Sequence, residues 1–306
     1  MNNITDIKME TIGFIGTGHL GYPIAENLVK AGYTVKIYNR TREKALPLEL
    51  LGAELVDSPE AAAVKGGVVL SLVADDKAVE AISTDALLQA LGSGGIHVSM
   101  STVSPDTSRA LAARHRRQGV EFVTAPVFAR PEAAAARVGN AVISGEAAAK
   151  DRIKPLLEAG FAKNIFDLGV DAGSANVLKL MGNFMIGAAI ELMAEAFALA
   201  EKSHMDPRVA YEMLTTTLFP GPVFRNYGAM ILDRKFTGSP SFSAALGLKD
   251  MDLVLQTARS TYTPMPMANL VQARLTSILA KDIHDADWTA LAMGALEDAG
   301  LNSVPE

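Results

Sequence analysis

The chain contains no cysteine in its 306 residues. Disulfides, thiolate nucleophiles and zinc–sulfur sites are therefore excluded. Positive charge is also short: 28 Lys and Arg stand against 34 Asp and Glu, for a net charge of −6. A nucleic-acid-binding surface normally needs a basic face, so no nucleic-acid partner is expected. Nor is there a long uninterrupted apolar run. The longest charge-free stretch, Ala86 to Pro105, is broken by glycine, serine, histidine and proline and does not read as a membrane span. The start, "MNNITDIKME", lacks the basic and apolar regions of a signal peptide, and a soluble cytoplasmic protein without membrane partners is expected. What is abundant is apolar residue, 49% of a chain long enough for one large domain or two ordinary ones.

The first half alternates β-branched runs with Ala- and Leu-rich stretches. Strands are expected at Thr11–Gly16, Thr34–Tyr38, Glu54–Val56, Val68–Val73, Ile96–Met100, Glu121–Thr124, Asn140–Ser144 and Ile165–Leu168. Helical stretches between them include Leu20–Ala31, Pro105–Gln118 and Glu146–Glu158. This alternation implies βαβ units and a mostly parallel sheet, and the continuously apolar "VVLSLV" suits a strand covered on both faces. After about Leu168 the pattern turns wholly helical. One long helix is expected from Ser174 to about His204, then shorter ones at Pro207–Thr216, Val223–Asp233, Ala244–Thr261, Met267–Lys281 and Asp287–Ala299. Two domains follow, 1–169 α/β and 170–306 all-α, joined by the long helix. That helix is apolar almost all round between Leu178 and Ala200, which predicts burial on several sides.

"TIGFIGTGHLGYPIAENLVKAG" places Gly16, Gly18 and Gly21 where the first strand turns into the first helix. In that context G-x-G-x-x-G is the fingerprint of a dinucleotide site. Gly16 makes the tight turn, Gly18 admits the pyrophosphate, and Gly21 lets helix and strand pack closely. The helix N-terminus then faces the phosphates. NAD-preferring sites carry a carboxylate at the end of the second strand. Here that position reads Asn39, Arg40, Thr41, then Arg42. Guanidinium and hydroxyl groups suit a 2′-phosphate, which favours NADP(H) over NAD(H).

These segments resemble the β-hydroxyacid dehydrogenase family, which includes 3-hydroxyisobutyrate dehydrogenase, tartronate semialdehyde reductase and glyoxylate/succinic semialdehyde reductase. The likeness spans nearly the whole chain: "GFIGTGHLGYPIAENL", "MSTVSPDT" (Met100–Thr107), "GSANVLKLMGN" (Gly173–Asn183) and "FSAALGLKDMDL" (Phe242–Leu253). It implies an N-terminal Rossmann-type doubly wound parallel sheet followed by an all-helical substrate and dimerisation domain. It also implies that Gly16, Thr17, Gly18, His19, Leu20, Gly21, Asn39, Arg40, Thr41, Val73, Thr102 and Lys249 bind the cofactor. Phe242 and Asp250 would line the substrate site, and a homodimer or homotetramer would form through the helical domain.

The pair Lys179 and Asn183 makes chemical sense without the family. Residues four apart share a helix face, and polar groups on an otherwise apolar helix are costly unless functional. In carbonyl reduction the oxygen gains negative charge as hydride reaches the carbon. Lys179 can stabilise and then protonate that oxygen, with Asn183 holding the lysine or a substrate oxygen.

One segment departs from the family. Its substrate loop usually reads Asp-Ala-Pro-Val-Ser-Gly-Gly, whose N–H groups cradle the substrate carboxylate. Here it is "TAPVFARPEA", with Phe128, Ala129 and Arg130 at the serine and glycine positions. Non-glycine residues resist positive φ, so the same cradle is not expected. Either Arg130 takes over the anion or Phe128 makes the pocket apolar and suits a carbonyl or imine without a carboxylate. The best reading is a reductase of a small-molecule carbonyl, with an imine reductase and a non-catalytic NADP-binding module as alternatives. "DIHDAD" (Asp282–Asp287) resembles a metal cluster, but Asp287 reads more simply as a helix N-cap, and no metal site is expected.

Overall fold

A computed structural model describes residues 10–238, 240–283 and 285–303. The expectation about the chain's start and His284 of "DIHDAD" lie outside the described residues. Nine strands occur among the described residues: β1 Thr11–Ile15, β2 Thr34–Tyr38, β3 Glu54–Leu55, β4 Val68–Ser71, β5 Ile96–Ser99, β6 Glu121–Thr124, β7 Val127–Phe128, β8 Gly139–Ile143 and β9 Ala162–Asp167. Helices α1 to α7 are Gly21–Lys30, Leu46–Glu49, Asp76–Ile82, Asp85–Leu91, Pro105–Arg117, Pro131–Ala135 and Ala147–Gly160. The long helix α8 is Ser174–Lys202; α9 to α13 are Pro207–Thr216, Pro222–Leu232, Ala244–Ser260, Pro266–Ala280 and Ala292–Asp298. The chain divides into two compact units, Met1–Lys179 and Leu180–Glu306, with the division inside α8.

Unit one is built on a six-stranded sheet of order β3-β2-β1-β4-β5-β6, every pair parallel. This is the order of a doubly wound dinucleotide fold, in which the chain reverses its direction of travel between β1 and β4. Val68 to Ser71 are all buried, as a strand covered on both faces requires. The helix α1 buries Ile24, Ala25 and Leu28, and Gly160 on α7 approaches closely enough that a Cβ there would lie 3.1 Å from Ile24. Full burial of each large side chain here contributes about 1.5–3 kcal/mol. Asn27 completes the contact by donating to the Gly160 carbonyl at 2.8 Å and the Ala134 carbonyl at 3.0 Å. Two otherwise orphaned helix C-termini are satisfied by this one amide.

The sequence pattern did not separate a second sheet. Strands β7, β8 and β9 form it, β7–β8 antiparallel and β8–β9 parallel. The strand β7 was not expected, because a two-residue strand carries too little periodicity to read.

A buried polar chain crosses from the sheet into α5. The His115 Nδ1 lies 2.7 Å from the Leu111 carbonyl, which can only accept, so His115 must donate there. Neutral His115 therefore accepts at Nε2 from His97 Nδ1 at 2.9 Å, and His97 Nε2 accepts from the Ser71 hydroxyl at 2.9 Å. Burial depresses both rings, His115 to about 4 and His97 well below its ordinary value.

Unit two is all helical among the described residues. Its core joins Ile190, Ala194 and Phe197 of α8 to Met251, Val271, Leu275 and Trp288. Trp288 meets Phe242 edge-on at 4.7 Å and Tyr227 at 5.8 Å. Asp287 accepts from the Thr289 N–H at 3.1 Å and caps the short turn Trp288–Leu291 that precedes α13, so the helix expected from Asp287 starts as a 3₁₀ turn. Burial of α8 is less complete than its composition suggests. Met181, Met185, Leu192 and Leu199 are 51 to 69% exposed, so one stripe of the helix faces outward. By length and hydropathy α8 also qualifies as a candidate membrane span, but Ile190, Ala194 and Phe197 bury it in the unit-two core and Glu191 and Glu195 interrupt it.

Candidate active site

The turn after β1 separates the roles of its three glycines. Gly16 has φ +97°, and a Cβ there would come within 2.2 Å of the Leu72 carbonyl oxygen. A Cβ on Gly21 would stand 2.0 Å from the Gly16 carbonyl oxygen, with the Phe14 ring next at 3.4 Å. Both glycines are thus demanded by the protein's own backbone. Gly18 is different: a Cβ there meets nothing within 4 Å. No contact among the described residues explains that glycine, whereas a ligand lying against the turn does. Thr17 is 3% exposed, and its hydroxyl is buried without a hydrogen-bond partner among the described residues. The helix α1 has no side-chain cap. Its first N–H groups and positive dipole end are available to an anion. His19 is exposed and Leu20 half-buried beside them.

Register brings the other expected cofactor residues to the same edge. Ile15 is level with Tyr38 and Ser71, and Ser71 with Ser99. Gly16, Asn39, Val73 and Thr102 therefore all follow the carboxyl ends of neighbouring strands. Open α/β sheets bind ligands in that crevice, at the point where strand order reverses. Asn39 braces the edge: its Oδ1 accepts from the Thr17 N–H at 2.9 Å and its amide donates to the Thr41 carbonyl at 2.6 Å. The Ser101 hydroxyl accepts from the Val73 N–H at 2.8 Å. Arg42 is engaged by Asp57 at 2.8 Å, while Arg40 and Thr41 stand exposed and the Thr41 hydroxyl makes no capping bond.

Lys179 lies on the second turn of α8 and is half-buried. Its ammonium sits 4.3 Å from the centroid of the Phe128 ring. The start of α8 is anchored by Asn176, whose Oδ1 accepts from the Val103 N–H at 3.2 Å and whose amide donates to Ser108 at 3.0 Å. Before the helix, Arg109 grips Asp171 through two bonds of 2.9 and 3.0 Å, which hold that carboxyl down to about 2. A Cβ on Gly173 would fall 2.7 Å from the Arg109 guanidinium. Ala175, at the place of the family's second glycine, is fully buried and donates its N–H to Ser144 at 3.2 Å.

The departing segment folds as strand and helix, not as a loop of left-handed residues. Phe128 belongs to β7, Arg130 (φ −85°) precedes α6, and neither Phe128, Ala129 nor Arg130 has positive φ. Ala129 packs where a Cβ on Gly139 would approach to 2.9 Å.

In unit two, Asn183 is buried and donates to Asp250 at 2.5 Å. Asp250 is 1% exposed and is also met by Lys249 at 3.0 Å. The Asn183–Asp250 bond was not foreseen, although two polar residues at apolar helix positions were its sequence signal. Phe242 is half-buried against Trp288.

Fold and edge together define an NAD(P)-dependent oxidoreductase. Residues 11–195 match the family described as the NAD binding domain of 6-phosphogluconate dehydrogenase. Residues 173–294 match the one described as NAD-binding of NADP-dependent 3-hydroxyisobutyrate dehydrogenase. An uncharacterised oxidoreductase, YfjR, of Bacillus subtilis is 38% identical over 92% of this chain and 98% of its own length. The NADH-dependent oxidoreductase ucdB of Aspergillus ustus is 31% identical over 92% and 98%. A Mycobacterium tuberculosis 3-hydroxyisobutyrate dehydrogenase solved with L-serine superposes with TM-score 0.84 at 26% identity, covering 94% of this chain and 99% of that one. A Streptomyces aurantiacus imine reductase shares the fold at TM-score 0.62 and 23% identity, over 92% of this chain and 98% of that one. The chain belongs to the β-hydroxyacid dehydrogenase family and is an NAD(P)-dependent oxidoreductase acting on CH–OH groups.

Proposed function

We propose that the protein is an NADPH-dependent reductase of a small carbonyl compound, with Lys179 as general acid. The observation that carries this reading is the Lys179 ammonium, held half-buried over Phe128 on a helix whose first turn is bonded to the Rossmann unit. The open space at Gly18 and the buried Thr17 hydroxyl fit a dinucleotide pyrophosphate. Exposed Arg40 and Thr41, with no carboxylate at the end of β2, fit the 2′-phosphate of NADP. Arg42 contributes less, because Asp57 already pairs it. Val73 and Thr102 would line the nicotinamide end of the edge.

When bound, the nicotinamide supplies hydride to the carbonyl carbon. The ammonium of Lys179 stabilises the oxygen as it becomes an alkoxide, then donates one proton to give the alcohol. The resulting neutral amine regains its proton from solvent. Asn183 donates through its amide to Asp250, which leaves its Oδ1 to accept from the lysine or a substrate hydroxyl. Beside Lys179, Phe128 and Ala129 give the substrate apolar surface, and the charge of Arg130 suits an anionic substituent.

The test is a panel of NADPH oxidations with glyoxylate, succinic semialdehyde, an apolar ketone and a cyclic imine. Reduction of a carbonyl is expected, and turnover of the imine alone would replace this reading. The imine alternative is favoured by one feature, Phe128 in place of the family's serine. The exposed stripe Met181, Met185, Leu192 and Leu199 supports a homodimer or larger assembly through the helical unit. Sedimentation should show at least a dimer at micromolar concentration. The working compartment is taken as the cytoplasm.

A further inference from the structure

We infer that Phe128 is a positioning residue: its ring is the seat that holds the Lys179 ammonium in place for proton transfer. The inference rests on the reading of Lys179 as the acid. A lysine side chain has four rotatable bonds and loses much rotamer freedom when fixed. Something must favour one placement, and an aromatic face within about 6 Å of an ammonium does so electrostatically. The observed separation is 4.3 Å.

The ring itself is well anchored. Thr124 and Ser144 exchange both backbone bonds at 3.0 Å, and the same antiparallel register continues to Val127 opposite Ala141 and Phe128 opposite Asn140. Bonded pairs alternate along such a ladder, so Phe128, four residues on, returns to a bonded position. Its N–H is then used by β8 and is not offered to a substrate carboxylate. Val127 is buried, Pro131 starts α6 four residues later, and Gly139 leaves room for Ala129. At the position where relatives of the family place a carboxylate-binding serine, this chain places a rigid platform for its own acid.

The experiment compares Phe128→Leu, Phe128→Tyr and Lys179→Ala using the fastest carbonyl of the panel above, with NADPH affinity and melting temperature measured alongside. Phe128→Leu should lower kcat by about 3- to 30-fold, a larger factor than any rise in KM, while the NADPH Kd stays within about twofold. Phe128→Tyr should recover most of the loss. A fluorinated phenylalanine series at position 128 keeps size and apolarity but drains the ring face, and kcat should fall stepwise with fluorine count. That series also covers the case in which Leu disturbs β7. An unchanged kcat in Phe128→Leu and a flat fluorine series, with Lys179→Ala inactive, would overturn the seat and leave the acid standing. A rise in KM with kcat unchanged would leave the ring a substrate wall only and overturn the seat. Full activity in Lys179→Ala would remove the reading beneath the proposal and take the proposal with it.

Discussion

The carboxyl edge of the six-stranded sheet and the segment from Thr124 to Pro131 follow different logics. At the edge, backbone geometry determines the residues. Gly16 and Gly21 press on carbonyl oxygens, Asn39 ties the turn to β2, and only Gly18 is left for a ligand to explain. At the segment, side chains determine the chemistry. Phe128, Ala129 and Arg130 adopt ordinary backbone conformations, and what distinguishes them is what their side chains touch. Local patterns therefore announce the first region, while the second depends on a partner 51 residues away, from Phe128 to Lys179.

Four perturbations sharpen the contrast, in falling order of effect. Gly21→Val drives a branched side chain into the Gly16 carbonyl and should cost several kcal/mol, read as a large drop in melting temperature. Acid acts on the same unit through its buried histidines. The unfolded chain takes up protons below about pH 6.5, while folded His115 resists until about 4. Stability is therefore full above pH 6.5 and falls as pH drops towards 4, by on the order of 2–3 kcal/mol for His115, and His97 acts in the same direction. Denaturant melts at pH 7 and pH 4.5 measure this, and His115→Gln should flatten the dependence. At Gly18 an added Cβ has nothing within 4 Å among the described residues, so in Gly18→Val the fold should survive while NADPH affinity falls about 10- to 100-fold by fluorescence titration. Arg40→Ala should weaken NADPH by about 10-fold and leave NADH nearly unchanged. Equal losses for both cofactors would remove the argument from the end of β2.

Much of the fold was legible because its signals are local. The β2, β6 and α9 boundaries follow directly from apolar runs bounded by Thr, Gly and Pro, and the parallel sheet follows from their alternation with helices. The second sheet was not legible, since β7 has two residues and pairs across a helix. The exposed stripe of α8 was hidden too. Composition reports how apolar a helix is, but neighbours decide which of its faces are covered. Within the site, Lys179 and Asn183 stood out as polar residues on an apolar helix. Their partners Phe128 and Asp250 could not be assigned to them, because contact across 51 and 67 residues leaves no periodic trace.

The most direct test of the account is Lys179→Ala, assayed for single-turnover NADPH oxidation with a reactive carbonyl alongside an NADPH titration. With Lys179 as the acid, the rate should fall by about 10²- to 10⁴-fold with NADPH affinity within twofold of the unaltered protein. A rate that survives the loss of the ammonium would contradict that role.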